Sequence, residues 1–371
     1  MVRRIALPFK VNKPILACGA DLKGAFALAK GKEAILVDGF GDLGDLDNFT
    51  RYARAVKNYR KKLGIKPRVI ACDLHPDYFS TRFAKAYILN LEPCALYPVQ
   101  HHEAHIASAI VDNNVRGNII GVAFDGTGYG LDGNIWGGEF FTGGLKGFRR
   151  EAHLEYIPMP GGETAITEPW RMAVSYLYHA YGRKFFTNGC SRVVKKNISG
   201  ILSMIDKNIN SPLTSSAGRL FDAAGSLILA KAGVSKEAEL PIELERLILP
   251  GSRGSYKFRF RADGEGIIID TKEIVKGIVK DLQGKAGRRE ISCKFHNTIA
   301  DVIAKTVLKL SGKSGIKQAL LSGGVFRNRY LTAKAIELLE AFGLKAYTHS
   351  NIPTGDSGIP LGQIAIANAR H

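Results

Sequence analysis

Apolar positions recur along the chain in short blocks whose spacing switches between two periods. PILACGA (14–20), AFALAKG (25–31) and EAILVDG (33–39) are runs of small and branched apolar residues broken by turn formers, and predict three short strands. LDNFTRYARAVKNYRKKLG (46–64) changes to helical spacing and stops at Gly64. RVIACDL (68–74) predicts a buried strand, YFSTRFAKAYILN (78–90) a helix, ALYPVQ (95–100) a strand and EAHIASAIVDNN (103–114) a helix. Strands that are apolar on both faces and alternate with helices imply a largely parallel sheet covered on two sides.

The pattern then restarts. NIIGVAFDGTGYG (118–130), IWGGEFFTGG (135–144) and FRREAHLEYI (148–157) predict a second strand meander. KQALLSGGV (317–325) and KAYTH (345–349) predict further strands around a helix over 328–343, and a last helix starts near Asp356. Both halves open with a strand, a Gly-rich turn and a returning strand, as ILACGADLKGAFALAKG and IIGVAFDGTGYGLDGNIWGG show. Identity between them is weak, so the repeat is one of pattern. We therefore expect an α/β lobe over 1–116 and a second over 117–371, the latter carrying a mostly helical insertion at about 160–290. Two such lobes with facing turns imply a cleft. That plan is the duplicated two-lobe fold of actin-like ATPases and sugar kinases, an analogy of architecture.

Composition narrows the picture. The 371 residues are 45% hydrophobic, enough for two cores. No apolar run approaches the roughly 18 residues of a membrane span, and MVRRIALPFKVNKP has no apolar core region of a signal peptide, so a cytoplasmic protein without membrane contacts is expected. Cys18, Cys72, Cys94, Cys190 and Cys293 are scattered and never form C-x-x-C, which argues against a disulfide framework or a cysteine zinc site. The net charge is +18. Its densest stretch, Arg51 to Arg68, holds eight basic residues and no acidic one, and reads first as the solvated face of a helix and second as a nucleic-acid contact.

The chemistry concentrates in VQHHEAH. On a helix His101 and His105 share a face, a ready clamp for a divalent ion, while His102 points about 100° away. Asp125, ending a buried strand, and Asp356 in PTGDSGIPLGQ could add carboxylates, a mixed set that suits iron, zinc or manganese better than magnesium alone. Each also has a plainer use: the histidines in packing, Asp125 in a turn, Asp356 as a helix cap. In DGTGYG, glycines such as Gly128 let backbone N–H groups approach an anion and Thr127 adds a hydroxyl. In LSGGVFRN, the Gly323–Gly324 pair leads into a helix start, which aims positive charge at a ligand. Neither GxxxxGK[ST] nor GxGxxG is present, which argues against P-loop and Rossmann sites. Asp222, an acid among Phe and Ala, fits either a ribose diol or an ion pair with Arg219. In TEPWRMA, Trp170 reads as core and Arg171 as an anion contact.

IACDLHPDYFST, VQHHEAHIAS, AFDGTGYGLDGNIWGGEFF, EPWRMA, TSSAGRLFDA, LSGGVFRNRYL and DSGIPLGQ, in that order, resemble the C-terminal transferase domain of the HypF carbamoyltransferases of NiFe-hydrogenase maturation. The resemblance runs from about Pro14 to the C-terminus. It implies the actin-like two-lobe fold, one divalent metal (iron or zinc, with magnesium an option) on His101, His105, Asp125 and Asp356, and ATP or carbamoyl adenylate in the cleft with AMP as product. Asp222 would hold the ribose, Asn328 and the Gly323–Gly324 turn the adenosine side, and Thr127 the phosphate. Lys23, in GADLKGAF, matches the family's lysine and would stabilise phosphate or oxyanion. The implied acceptor is the C-terminal cysteine of a HypE-type partner. Antibiotic O-carbamoyltransferases and tRNA threonylcarbamoyladenosine synthases are similar in fold, and with a non-catalytic nucleotide-binding partner they are the competing readings. The family's upstream domains have no counterpart here, so a separate domain or enzyme is expected to make carbamoyl adenylate. The family's EGQAA reads EAELP (Glu237 to Pro241), and DGGIALGQ reads DSGIPLGQ, with Ser357 and Pro360 altered.

Overall fold

Two large sheets organise the chain: the first opens with an antiparallel strand pair and continues in parallel, and the second mixes an antiparallel meander with parallel pairs. The computed structural model describes residues 1–89, 94–187, 198–249, 251, 253–264 and 266–371. The first sheet contains β1 (Val2–Ala17), β2 (Ala25–Asp38), β3 (Val69–Asp73) and β4 (Ala95–Val99), in the order β2-β1-β3-β4. β1 and β2 are antiparallel, whereas β1–β3 and β3–β4 are parallel. Helices α1 (Leu46–Lys62) and α2 (Phe79–Leu89) connect these strands, and α3 (His101–Asp112) follows β4.

Two long strands stand where the spacing predicted three short ones. β2 runs straight through Gly31, which takes φ +64° opposite Val11 at a shift of register. The glycine marks a bulge and not a reversal of the chain. α1 buries Tyr52 and Val56 and leaves Arg51, Arg54, Lys57, Lys61 and Lys62 exposed, the solvated basic face expected first.

The second lobe starts with β5 (Ile119–Phe124), β6 (Gly138–Gly144), β7 (Gly147–Leu154) and the short β8 (Ile157–Pro158). Next come α4 (Thr164–Thr167), α5 (Trp170–Tyr181), α6 (Lys184–Thr187), α7 (Ile198–Asp206), β9 (Leu213–Thr214), α8 (Ala217–Leu229) and α9 (Glu239–Arg246). The hairpin β10 (Arg259–Asp263) and β11 (Gly266–Asp270) precedes α10 (Lys272–Gln283) and α11 (Arg288–Ser314). β12 (Gln318–Ser322), α12 (Arg329–Ala341), β13 (Lys345–Tyr347) and α13 (Ile359–Arg370) complete the chain. The sheet order is β10-β11-β7-β6-β5-β12-β13. β5–β6 is antiparallel and β5–β12–β13 parallel, which repeats β1, β2, β3 and β4. The segment 160–290 is mainly helical, but its hairpin adds two strands to the sheet by parallel pairing of β11 with β7.

The helix bearing the histidines lies between the lobes. All residues from His101 to Val111 are buried, so α3 has no solvent face. Ala104, Ala107 and Val111 join the first-lobe core with Ile359, Leu361 and Ile364 of α13, while Ile106 and Ala109 pack against Ile119, Ala123 and Leu320 of the second sheet. α13 thus returns to the first lobe and lies on α3. A Cβ on Gly362 would fall 1.9 Å from the Ala104 carbonyl oxygen, so the two helices touch backbone to backbone. Cys18, Cys72 and Cys293 are buried and Cys94 partly so, none of them in a disulfide, and Cys190 lies outside the described residues. Among the described residues no helix is long and apolar enough to cross a membrane.

Candidate metal and nucleotide site

α3 starts two residues earlier than its spacing predicted, at His101, because Gln100 caps it: the Gln100 side-chain oxygen accepts from Glu103 N. That places His101 and His105 one turn apart at the inter-lobe end of the helix. Asp125 follows β5, and Asp356 opens a short 3-10 turn, Asp356–Gly358, ahead of α13. Four donor atoms, one from each of these residues, lie within 4.8 Å of one another. His105 Nε2 is 2.9 Å from Asp125 Oδ2 and 3.7 Å from Asp356 Oδ1, and His101 Nε2 is 3.4 Å from Asp125 Oδ2. All four side chains are buried.

A metal ion fits this set. His101 Nε2 is buried and has no hydrogen-bond partner, a costly arrangement unless something else in the site engages that atom. Burial and the charge of Asp125 push the Asp356 carboxyl up. Burial also acts on Asp125, but the nearby His105 and His101 outweigh it and hold that carboxyl well below the usual range. For His101 burial opposes charge, and Asp73 and Asp125 overcome it to raise the imidazole well above its ordinary value. Two nitrogens and two carboxylates that must share charge in a dry site are the donors a divalent first-row ion takes.

The surrounding loops hold these side chains. Asp125 Oδ1 accepts from Gly126 N at 2.9 Å and Gly324 N at 3.0 Å, so the Gly323–Gly324 turn grips the aspartate. Gly323 has φ +105° and sits against the Phe124 carbonyl, a place no Cβ can occupy. Gly128 faces the imidazoles of His101 and His102. His102 Nδ1 is 3.1 Å from Gln100 Nε2, which also donates to the Tyr129 carbonyl. Pro360 falls in the first turn of α13, where a missing N–H costs nothing.

Beside the cluster lies a cleft of about 380 Å³. Its wall brings together Lys23 from the β1–β2 turn with Asp125, Asp222, Gly324 and Asn328. Thr127, Gly128 and Gly323, expected there from the sequence, are not part of that wall. The Asn328 amide is engaged within the protein: Oδ1 accepts from Leu331 N and Nδ2 is 2.9 Å from His296 Nε2. Asp222 and Arg219 share the wall, with Arg219 Nη2 2.8 Å from Asp222 Oδ2 but without the alignment of a hydrogen bond. Burial pushes the Asp222 carboxyl up to about 6, with Arg219 opposing and Glu237 adding to the rise. Glu237 faces Lys23 across the cleft at 3.9 Å. Arg171 pairs with Glu168 at 2.7 Å and Trp170 is buried, both away from the cleft wall.

Sequence reasoning missed Asp73, whose carboxylate is 2.7 Å from His101 Nδ1. Its position in CDLHP, at the end of an apolar run, was the available signal.

Residues 10–112 match the HypF Kae1-like domain, and residues 121–363 match the second subdomain of the carbamoyltransferase Kae1-like domain. A carbamoyltransferase HypF homolog of Cupriavidus necator is 33% identical over 96% of this chain and 92% of its own length. Carbamoyltransferase HypF of Synechocystis is 32% identical over 97% of this chain. That match takes in 48% of the relative, so the chain spans about half the length of such full-size proteins. A full-length HypF crystallised in a phosphate- and nucleotide-bound form superposes with a TM-score of 0.92 at 37% identity, over 98% of this chain and 47% of that one.

Proposed function

Because this chain belongs to the HypF carbamoyltransferase family, we propose that it transfers a carbamoyl group from carbamoyl adenylate to a protein thiol, the C-terminal cysteine of a HypE-like acceptor in NiFe-hydrogenase maturation. The observation that carries this reading is Asp125, which belongs both to the four-ligand cluster and to the wall of the cleft. Metal chemistry and nucleotide binding would then meet at one carboxylate.

His101, His105, Asp125 and Asp356 would hold an iron or zinc ion, which supplies Lewis-acid polarisation of the carbamoyl oxygen. Asp222 accepts from the ribose hydroxyls, and Lys23 places a positive charge at the cleft mouth for the phosphate. The acceptor thiolate attacks the carbamoyl carbon. A C–S bond forms, the bond from that carbon to the phosphate oxygen breaks, and AMP leaves with the electron pair. The thiol proton passes to solvent. Burial of the cluster keeps competing water from the activated carbon.

The test supplies carbamoyl adenylate and a cysteine-terminated acceptor. The expected result is AMP release matched by carbamoylated thiol. AMP release without modified acceptor, or no release, overturns the proposal. Lys23→Ala is expected to lower kcat about 10²-fold while leaving metal affinity unchanged, as for loss of one charge-stabilising donor. A second reading, transfer to tRNA, has the exposed basic face of α1 in its favour. It requires tRNA binding that weakens steeply with salt, measured by filter binding between 50 and 200 mM, a range over which about 10³-fold is lost by typical phosphate binders.

A further inference from the structure

His101 differs from His105 in what stands behind it. Its Nδ1 lies 2.7 Å from Asp73 Oδ2, and both side chains are at most 1% exposed. A carboxylate can only accept, so the contact requires a proton on Nδ1. That leaves Nε2 as the atom turned to the cluster, and Nε2 is the buried nitrogen without a partner.

Asp73 is itself held. Its Oδ1 accepts from His75 N at 2.9 Å, and its carbonyl oxygen accepts from Thr81 Oγ1 at 3.1 Å. It ends β3, where the parallel pairing with β4 fixes its backbone opposite Val99. The sheet of the first lobe thereby sets the ring orientation of a ligand on the inter-lobe helix. Among the described residues, His105 makes its polar side-chain contacts through Nε2, to Asp125 and Asp356.

We propose that Asp73 is a positioning residue for the metal: it locks His101 in the form protonated at Nδ1, makes Nε2 the more basic ligand atom, and so makes His101 the anchoring ligand of the four. The inference rests on the reading that the cluster binds a metal, and the experiment separates the two. Metal-free wild type, Asp73→Asn and Asp73→Ala are titrated with Co²⁺ and Zn²⁺ by calorimetry and by the Co²⁺ visible spectrum. Asparagine keeps the size of the side chain but can present an N–H to Nδ1, which forces the proton onto Nε2 and blocks ligation. The expected result is a 10- to 100-fold loss of affinity in Asp73→Asn with an unchanged far-UV circular dichroism spectrum, the range typical of lost outer-shell partners. Asp73→Glu is expected to recover part of it.

Wild-type affinity in Asp73→Asn overturns the role of Asp73. No uptake of either ion by the wild type overturns the metal reading itself. If the variants fail to fold, nitrogen NMR of the Zn²⁺-loaded wild type decides: a proton on His101 Nδ1 with zinc on Nε2 supports the assignment, and zinc on Nδ1 refutes it.

Discussion

At Gly128 an added Cβ would lie 2.5 Å from His102 Cε1 and 2.8 Å from His101 Cδ2. Neither ring can retreat, because α3 is buried on every side. Gly128→Ala is therefore expected to tilt His101 and cost at least about tenfold in Zn²⁺ affinity, a change of about 1.4 kcal/mol, read by competition with a chromogenic chelator. Asp222 gives a prediction with a sign. Its carboxyl sits at about 6 in the fold, above its ordinary value, so folding favours the protonated form. The stability this contributes is full below about pH 4 and is lost as pH rises through about 6. A ribose diol donates to the carboxylate and reverses that preference. Adenosine, which carries no phosphate to titrate, is thus expected to bind more tightly from pH 5 to pH 7 and level off above. Asp222→Asn is expected to flatten the profile and weaken binding about tenfold or more, the scale of a hydrogen bond to a charged group. Calorimetry across that range checks both. The spacing of His101 and His105 and the carboxylates of Asp125 and Asp356 were legible in the sequence as candidates. Asp73 was not, since a lone acid after an apolar run reads as a turn residue until a strand sets it behind a ring.

Between elements, the contact of α3 with α13 decides where Asp356 sits. Gly362→Ala would drive a methyl group into the Ala104 carbonyl and is expected to destabilise the protein by about 1–3 kcal/mol, the usual range for overpacking. Because Asp356 begins the turn that enters α13, metal affinity is expected to fall as well. Gly312 of α11 has nothing within 4 Å of an added Cβ, so Gly312→Ala serves as a control, expected to be neutral or to stabilise by about 0.4–1 kcal/mol. Urea melts of the two variants beside wild type test the pair. Most elements were legible as periodic blocks. Two differences have local causes. Gly31 was read as a turn although it only bulges a continuous strand. RFRADGEGIIID carried an alternating pattern around a Gly-containing turn, the mark of a hairpin, but it stood inside a segment dominated by helical spacing.

For the whole molecule, ligands that touch both lobes should report on their union. His101 and His105 come from the helix between them, Asp125 from the second sheet, and Lys23 and Glu237 meet across the cleft. Stripping metal with a chelator is expected to lower the melting temperature, and restoring Zn²⁺ at 100 times its dissociation constant to return about 2.7 kcal/mol of stability. Scanning calorimetry is the measurement; an unchanged melting temperature in chelator argues that no ion binds the fold. The duplicated plan was visible in the sequence because each half repeats strand, Gly-rich turn and returning strand. The return of α13 to the first lobe was not, since periodicity tells which face of a helix is apolar and not which lobe that face meets.

That return has a bearing on biogenesis. During synthesis His101, His105 and Asp125 leave the ribosome long before Asp356 and the helix that seats it. A nascent chain can thus offer at most three of the four candidate ligands, and α3 lacks one of its covering neighbours, until α13 has been made. The complete set is therefore expected only once the segment carrying Asp356 has folded onto α3, and an ion offered earlier would meet the other three side chains alone.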